Sequence, residues 1–145
     1  MTEEEKRLLA LDLGCRIQTG VVVNCVDGDF RLEYVNSFWE VKLEDGNNWT
    51  YSIETVKPYL RSIEDMTEEE QEEFGKMQHT SGEVEEICHH LGDAYPIRLG
   101  LTGKYDGMRI DWFIERKFDF RGLIGKGLAI RVTPENDPYK KEEAV

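Results

Sequence analysis

Short runs of β-branched and aromatic residues, divided by polar turns, fill the first part of the chain. One run at 21–26 stops at the turn-forming Asp27-Gly28-Asp29, and further runs follow at 30–35, 38–43 and 49–53. Branched and aromatic residues between such turns predict antiparallel strands joined as hairpins. The pattern therefore predicts a four- or five-stranded meander that forms a small SH3-like antiparallel β-barrel over about residues 13–61.

Helical signals lie on both sides of this predicted meander. Thr2 with Glu5, and Thr67 with Glu70, each have the spacing of a capping box, in which the two residues bond to each other's backbone N–H. These boxes predict helices over about 3–12 and 68–78. Apolar residues at helical spacing predict helices at 83–91 and 108–117, and the proline at 58 predicts a short helical turn at 55–60.

The fold class that follows is α+β, with a mostly helical C-terminal part packed on the β-meander. We predict one compact unit with three segments: the first helix and meander at 1–61, the helical part at 62–133, and a flexible polar tail at 134–145. The glycine-rich stretch at 92–107 predicts a loop. The aromatic residues predicted to fill the interface between the parts are Trp112, Phe113, Phe118 and Phe120.

Negative charge is concentrated in the middle of the chain. Residues 62–90 hold ten Asp and Glu residues and one base, Lys76. This segment therefore supplies −9 of the net charge of −12. A field of this sign repels phosphate, so we expect no direct nucleic-acid binding and favour a basic protein partner. The start of the chain lacks the basic and apolar pattern of a secretory signal, and no apolar run could span a membrane, so a cytoplasmic protein is expected.

Residues with catalytic or metal-binding chemistry form no recognisable motif. Cys88, His89 and His90 are adjacent, but neighbouring residues on a helix point about 100° apart, so they do not easily chelate one ion. The three cysteines include no Cys-x-x-Cys pair, and the glycines at 122–127 lack the Ser or Thr of a phosphate loop. We predict no catalytic residue, no metal ligand and no cofactor.

Two sets of residues are candidates for binding a partner. The acidic surface of the helix at 68–78 consists of Glu68, Glu69, Glu72 and Glu73; the alternative interpretation is an ordinary solvated face. The second candidate is an aromatic groove of the kind that SH3-like barrels present to proline-rich peptides. Its residues would be Trp39 and Trp49 with Phe38, Tyr51 and Tyr59, and the alternative is that these aromatics are core and cross-strand pairs.

Two segments also resemble known sequences. KPYLRSIEDMTEEE at 57–70 and KFDFRGLIGKGLA at 117–129 resemble segments of small uncharacterised proteins from gut Bacteroides and from their phages or integrated elements. That family has no established activity, cofactor or catalytic residue, so the resemblance implies a source and an order of parts but no site residue.

The functional hypothesis is a non-enzymatic protein-binding module of phage or mobile-element origin. Its acidic helical surface would bind a basic protein. The first alternative is an acidic mimic of nucleic acid that inhibits a host nucleic-acid enzyme or defence system, because spaced carboxylates can imitate phosphates. The second alternative, a small metal-dependent enzyme that uses His89 or His90, is the least favoured.

Overall fold

A computed structural model of the protein describes residues 1–76 and 107–140, and within them the fold is mixed α+β. The chain divides into two compact units: Met1–Leu60 with Gly122–Val145, and Arg61–Arg121. The helices are α1 (Glu3–Cys15), α2 (Glu68–Lys76) and α3 (Gly107–Glu115), with 3₁₀ turns at Ile17–Thr19, Ile53–Thr55 and Ile63–Asp65. The strands are β1 (Val22–Cys25), β2 (Gly28–Val35), β3 (Glu40–Leu43), β4 (Tyr51–Ser52), β5 (Lys57–Leu60) and β6 (Ile130–Arg131).

The six strands form one open sheet in the order β4-β3-β2-β1-β5-β6. All neighbours are antiparallel except β5 and β6, which run parallel. Strand β2 pairs with β1 as far as Arg31 and with β3 from Leu32 onward, and its register shifts between Leu32 and Tyr34. The α+β class is confirmed, whereas the predicted SH3-like barrel is not.

The first unit is built around a tight hairpin and one helix. Val26 and Asp27 are the two turn residues between β1 and β2, and Gly28 completes the hairpin with a φ of 129° that a residue with a Cβ rarely adopts. Leu9 and Leu13 of α1 share one hydrophobic core with the sheet and with residues 123–129. Its other members include Val21, Val23, Leu32, Val41, Leu43, Val56, Leu60, Leu123 and Leu128.

The second unit has a core of aromatic side chains. Phe74 of α2 packs on Trp112 and Phe113 of α3, with ring centroids 5.6 and 5.0 Å apart. Phe118 and Phe120 extend the same cluster beyond the end of α3, and Ile63 and Met66 complete it. Trp112 and Phe120 are buried, as the sequence analysis predicted.

The prediction of a mostly helical C-terminal part is wrong for the described residues. The helix predicted at 108–117 ends at Glu115, because Lys117 has a left-handed φ of 64°. The N–H of Lys117 then donates to the Ile114 carbonyl and that of Phe118 to the Phe113 carbonyl, which is the Schellman pattern of a helix end. Turns follow as far as β6.

The helical turn predicted at 55–60 is also wrong, because residues 57–60 form β5, which pairs with β1 through Lys57 and Pro58. Pro58 occupies a strand because it lies where no N–H is donated across the ladder. Two predictions lie outside the described residues: the helix at 83–91, with Cys88, His89 and His90, and the loop at 92–107 except for residue 107. The predicted three-segment division and the flexibility of 134–145 stay predictions.

Candidate partner-binding surfaces

Helix α2 begins at the capping box that the sequence predicts. The Thr67 N–H donates to Glu70 Oε1, and the Glu70 N–H donates to Thr67 Oγ1, both over 3.1 Å. The box satisfies two N–H groups that a helix start otherwise leaves without partners. Glu68, Glu69 and Glu70 lie in the first turn, where the helix dipole favours negative charge.

Two of the five glutamates of α2 are neutralised inside the second unit. Arg61 donates to both carboxylate oxygens of Glu70, over 2.6 and 2.8 Å. Arg116, which follows α3, donates through Nη2 to both oxygens of Glu73, over 2.9 and 3.0 Å. Glu73, one of the four predicted contact residues, is therefore already bound to a cation of its own chain.

The same two arginines sandwich an aromatic pair. Phe118 and Trp112 are stacked, with centroids 5.6 Å apart and ring planes 15° from parallel. The Arg61 guanidinium lies 4.2 Å from the Phe118 centroid, and that of Arg116 lies 5.1 Å from the Trp112 centroid. Each cation thus contacts a ring face and a carboxylate together, which fixes the orientation of α2 relative to α3.

Glu70 is ionised in this arrangement. Its side chain is 8% exposed, and this burial raises the pKa of the carboxyl group. The hydrogen bonds from Arg61 and from the Thr67 N–H lower the pKa by more, so the pKa lies below its ordinary value. Glu70 is therefore a structural anion and does not belong to the contact surface.

The other three glutamates, Glu68, Glu69 and Glu72, are exposed on α2. In the described part of the chain none of them forms an ion pair or a side-chain hydrogen bond. With Gln71 they line a surface depression of about 490 Å³. Their spacing places Glu72 one helical turn from both Glu68 and Glu69, so like charges face each other across the depression.

Trp39 is not available as the wall of an open groove. It is half-buried, has a left-handed φ of 59°, and lies under Lys6 of α1, whose Nζ is 5.6 Å from the ring centroid. Lys6 is held there by Glu54, with Nζ 2.9 Å from the carboxylate. Trp39 therefore belongs to the contact between α1 and the sheet.

Trp49 is 55% exposed. Strands β3 and β4 pair through Glu40 with Ser52 and Val41 with Tyr51. Trp39 precedes this pairing at the β3 end, where its carbonyl accepts from the Ile53 N–H over 3.0 Å, whereas Trp49 precedes Tyr51 at the opposite end. Because Tyr59 is buried as well, the structure does not bring the five aromatics together into the predicted groove.

Beside Trp49, two turns meet at the hydroxyl group of Tyr51, a residue that the sequence indicated only as an aromatic of the predicted groove. Tyr51 Oη lies 2.7 Å from Asp27 Oδ2 in the β1–β2 turn and 2.6 Å from Asp45 Oδ2 in the β3–β4 turn. Hydrogen bonds from Tyr51 and from the Asn47 N–H lower the pKa of Asp45 to about 2. The same two carboxylates, Asp45 foremost, raise the pKa of Tyr51. This end of the first unit is therefore anionic near an exposed indole.

Residues 1–76 and 107–140 contain no group of three or more His, Cys, Asp or Glu side chains arranged to hold a metal ion. Among the same residues, no helix is both long and apolar enough to cross a membrane.

Comparison of the chain with protein-family models, curated proteins and solved structures finds no match. The resemblance to Bacteroides and phage proteins stays a prediction.

Proposed function

We propose that the protein is a non-enzymatic binding module that uses the acidic face of α2, formed by Glu68, Glu69 and Glu72, to bind a basic protein partner. The proposal rests on the difference between the glutamates of α2 that pair with an arginine and those that do not. Glu70 and Glu73 have arginine partners within the second unit, whereas these three have none in the described part. Glu73 is therefore removed from the predicted contact set, and the other three remain.

The repulsion within this face supports binding to a cation. Like charges one helical turn apart destabilise a helix by about 0.2–0.5 kcal/mol per pair. The pairs Glu68 with Glu72 and Glu69 with Glu72 both have this spacing. Lysine or arginine side chains of a partner would relieve the repulsion and fill the depression between the carboxylates.

Trp49 supports a second contact in the first unit. The exposed indole and the exposed Asp27 carboxylate can bind the aliphatic stem and the charged end of a lysine or arginine together, whereas the Asp45 side chain is buried and pairs with Lys42. This contact requires the same class of basic partner as the face of α2.

The connectivity of the first unit supports the finer proposal that the region predicted as a barrel, about residues 13–61, has an SH3-like arrangement of strands. β2 divides its pairing between β1 and β3, a 3₁₀ turn separates β4 from β5, and β5 returns to the side of β1. Many SH3-like domains bind peptides, so this analogy of fold agrees with a binding role. The proposed phage or mobile-element origin rests on the sequence resemblance alone.

Binding of a fluorescent lysine-rich peptide, measured by anisotropy at low ionic strength, tests the proposal. The triple variant Glu68→Gln, Glu69→Gln, Glu72→Gln keeps the helix and removes the free charges. Exposed ion pairs contribute about 0.2–1 kcal/mol each, so we expect the dissociation constant to rise roughly tenfold.

The matched control removes three exposed carboxylates elsewhere, through Glu4→Gln, Glu44→Gln and Glu115→Gln. Both triple variants change the net charge from −12 to −9, because each removes three negative charges. We expect the control to retain most of the affinity. Equal weakening in the two variants would show an effect of net charge only, and unchanged binding in the α2 variant would exclude its acidic face as the contact.

A further inference from the structure

The hydroxyl group of Tyr139 stands between two strands of the sheet. It accepts a hydrogen bond from the Val22 N–H of β1 over 3.1 Å and donates one to the Tyr59 carbonyl of β5 over 2.7 Å. Tyr139 is 117 residues from Val22 and 80 from Tyr59 along the chain. One side chain near the C-terminus thus joins main-chain groups of two strands within the first unit.

The register shows what this hydroxyl group replaces. β1 and β5 pair Asn24 with Lys57 and Val23 with Pro58, so the next pair would be Val22 with Tyr59. Hydrogen-bonded pairs alternate along an antiparallel ladder, and Pro58 has no N–H to donate. The Val22 N–H and Tyr59 carbonyl are therefore natural partners of each other, and Tyr139 takes the place of their direct bond.

The segment that carries Tyr139 is braced by its own side chains. The Thr133 N–H donates to Asn136 Oδ1 over 2.6 Å, and Asn136 Nδ2 donates to the Arg131 carbonyl. The N–H groups of Tyr139 and Lys140 donate to Asp137 Oδ1. The Asp137 bonds lie within residues 134–140, so they stay intact if that segment leaves the sheet, whereas the Asn136 bonds anchor the start of the segment to Thr133 and to Arg131 of β6.

We propose that residues 134–140 form a lid, called here the C-terminal lid, that opens and closes as a unit over β1 and β5, with Tyr139 as its latch. When the lid is closed, Tyr139 bridges the strands; when it opens, water replaces the hydroxyl group as the partner of the Val22 N–H and the Tyr59 carbonyl, so the Val22 amide can exchange. Each state satisfies the same two main-chain groups, so opening does not require the sheet to unfold.

A cavity of about 550 Å³ lies between the lid and the sheet. Pro134, Glu135 and Pro138 line it from the lid, and Val22, Asp29 and Tyr59 line it from the strands. Its volume is in the range of sites for small molecules. Because the lid supplies part of its lining, the cavity is complete only in the latched state, so a molecule held there would stabilise that state.

Hydrogen exchange of the Val22 amide in the variant Tyr139→Phe tests the latch. The substitution keeps the ring and removes both hydrogen bonds, so we expect the Val22 amide to exchange about tenfold faster. The Leu32 amide, which donates to the Val21 carbonyl on the other side of β1, should keep its rate. The control Tyr34→Phe removes an exposed hydroxyl group of β2 and should change neither rate.

An unchanged rate at Val22 in Tyr139→Phe would overturn the proposal. Equal acceleration at Val22 and Leu32 would also overturn it, because opening would then be unfolding of the whole unit. If the variant does not fold, hydrogen exchange of the unaltered protein is measured at a series of low denaturant concentrations. Opening of the lid alone predicts that the exchange rate of the Val22 amide does not depend on denaturant. If the exchange rates of Val22 and Leu32 rise with denaturant by the same slope, the lid is excluded.

Discussion

At the scale of single residues, Phe120 is the sharpest test of the core of the second unit. It is buried and stacks on Phe113, with centroids 5.8 Å apart. Alanine at this position removes apolar burial and leaves a cavity, so we expect Phe120→Ala to lower the free energy of unfolding by about 3–5 kcal/mol, and Trp112→Ala to do the same. Urea unfolding measures both losses.

Phe38 provides the matched control for this substitution. Its side chain is 81% exposed, so Phe38→Ala should change the free energy of unfolding by less than about 0.5 kcal/mol. A loss below about 1 kcal/mol for Phe120→Ala would mean that the side chain is not part of a packed core.

Single residues also show where sequence analysis succeeds and where it does not. The capping partners Thr67 and Glu70 are three positions apart, so local spacing was enough to predict their bonds. Trp39 and Trp49 look alike in sequence, yet only Trp49 is exposed, because Lys6 of a separate helix covers Trp39. Contacts of the second kind depend on the tertiary fold, and spacing in the sequence does not reveal them.

At the scale of secondary-structure elements, the ion pair of Glu70 with Arg61 makes the attachment of α2 sensitive to pH. The pKa of Glu70 is lowered in the folded state, so its stabilising effect is complete above its ordinary pKa of 4.5 and is lost as the pH falls through the lowered value. Glu70→Gln keeps the shape and the capping-box bond but removes the charge. We expect it to cost about 1–3 kcal/mol at neutral pH and to weaken the pH dependence of unfolding below about 4.5.

Urea unfolding over a series of pH values checks this prediction, with Glu72→Gln as the control. Glu72 lies on the same helix but is exposed and without an ion pair in the described part, so its replacement should change stability by less than about 0.5 kcal/mol. Parallel pH profiles for Glu70→Gln and the unaltered protein would contradict a stabilising role for the buried carboxylate.

Among the elements, those with local signals were predicted best. Helices α1 and α2 begin where their capping boxes indicate, and the strands at 22–25 and 28–35 lie on the two runs that the turn-forming residues 27–29 divide. The end of α3 was missed because Lys117, rather than a glycine, adopts the left-handed turn. The pairing of β5 with β6 was missed because it covers only two residue pairs, beginning with Tyr59 and Ile130, and these lie about seventy residues apart in the chain. Such a short pairing leaves no periodic pattern in the sequence of either strand.

At the scale of the whole molecule, the net charge of −12 decides which partners can approach. It repels nucleic acid and attracts basic surfaces, and exposed charges lose most of their mutual influence beyond about 8 Å at physiological ionic strength. We therefore expect affinity for the lysine-rich peptide to fall steeply as salt rises, and no binding to labelled duplex DNA at any salt concentration. Anisotropy titrations with the two probes measure both, with the control triple variant run in parallel.

The same titrations separate a binding module from a mimic of nucleic acid. A mimic would displace duplex DNA from a basic DNA-binding protein, and the variant Glu68→Gln, Glu69→Gln, Glu72→Gln would lose that competition. A module for basic peptides would bind the lysine-rich probe without competing for the DNA site. Direct binding of the chain to DNA would contradict both, because neither arrangement of carboxylates can hold phosphate without a compensating basic surface.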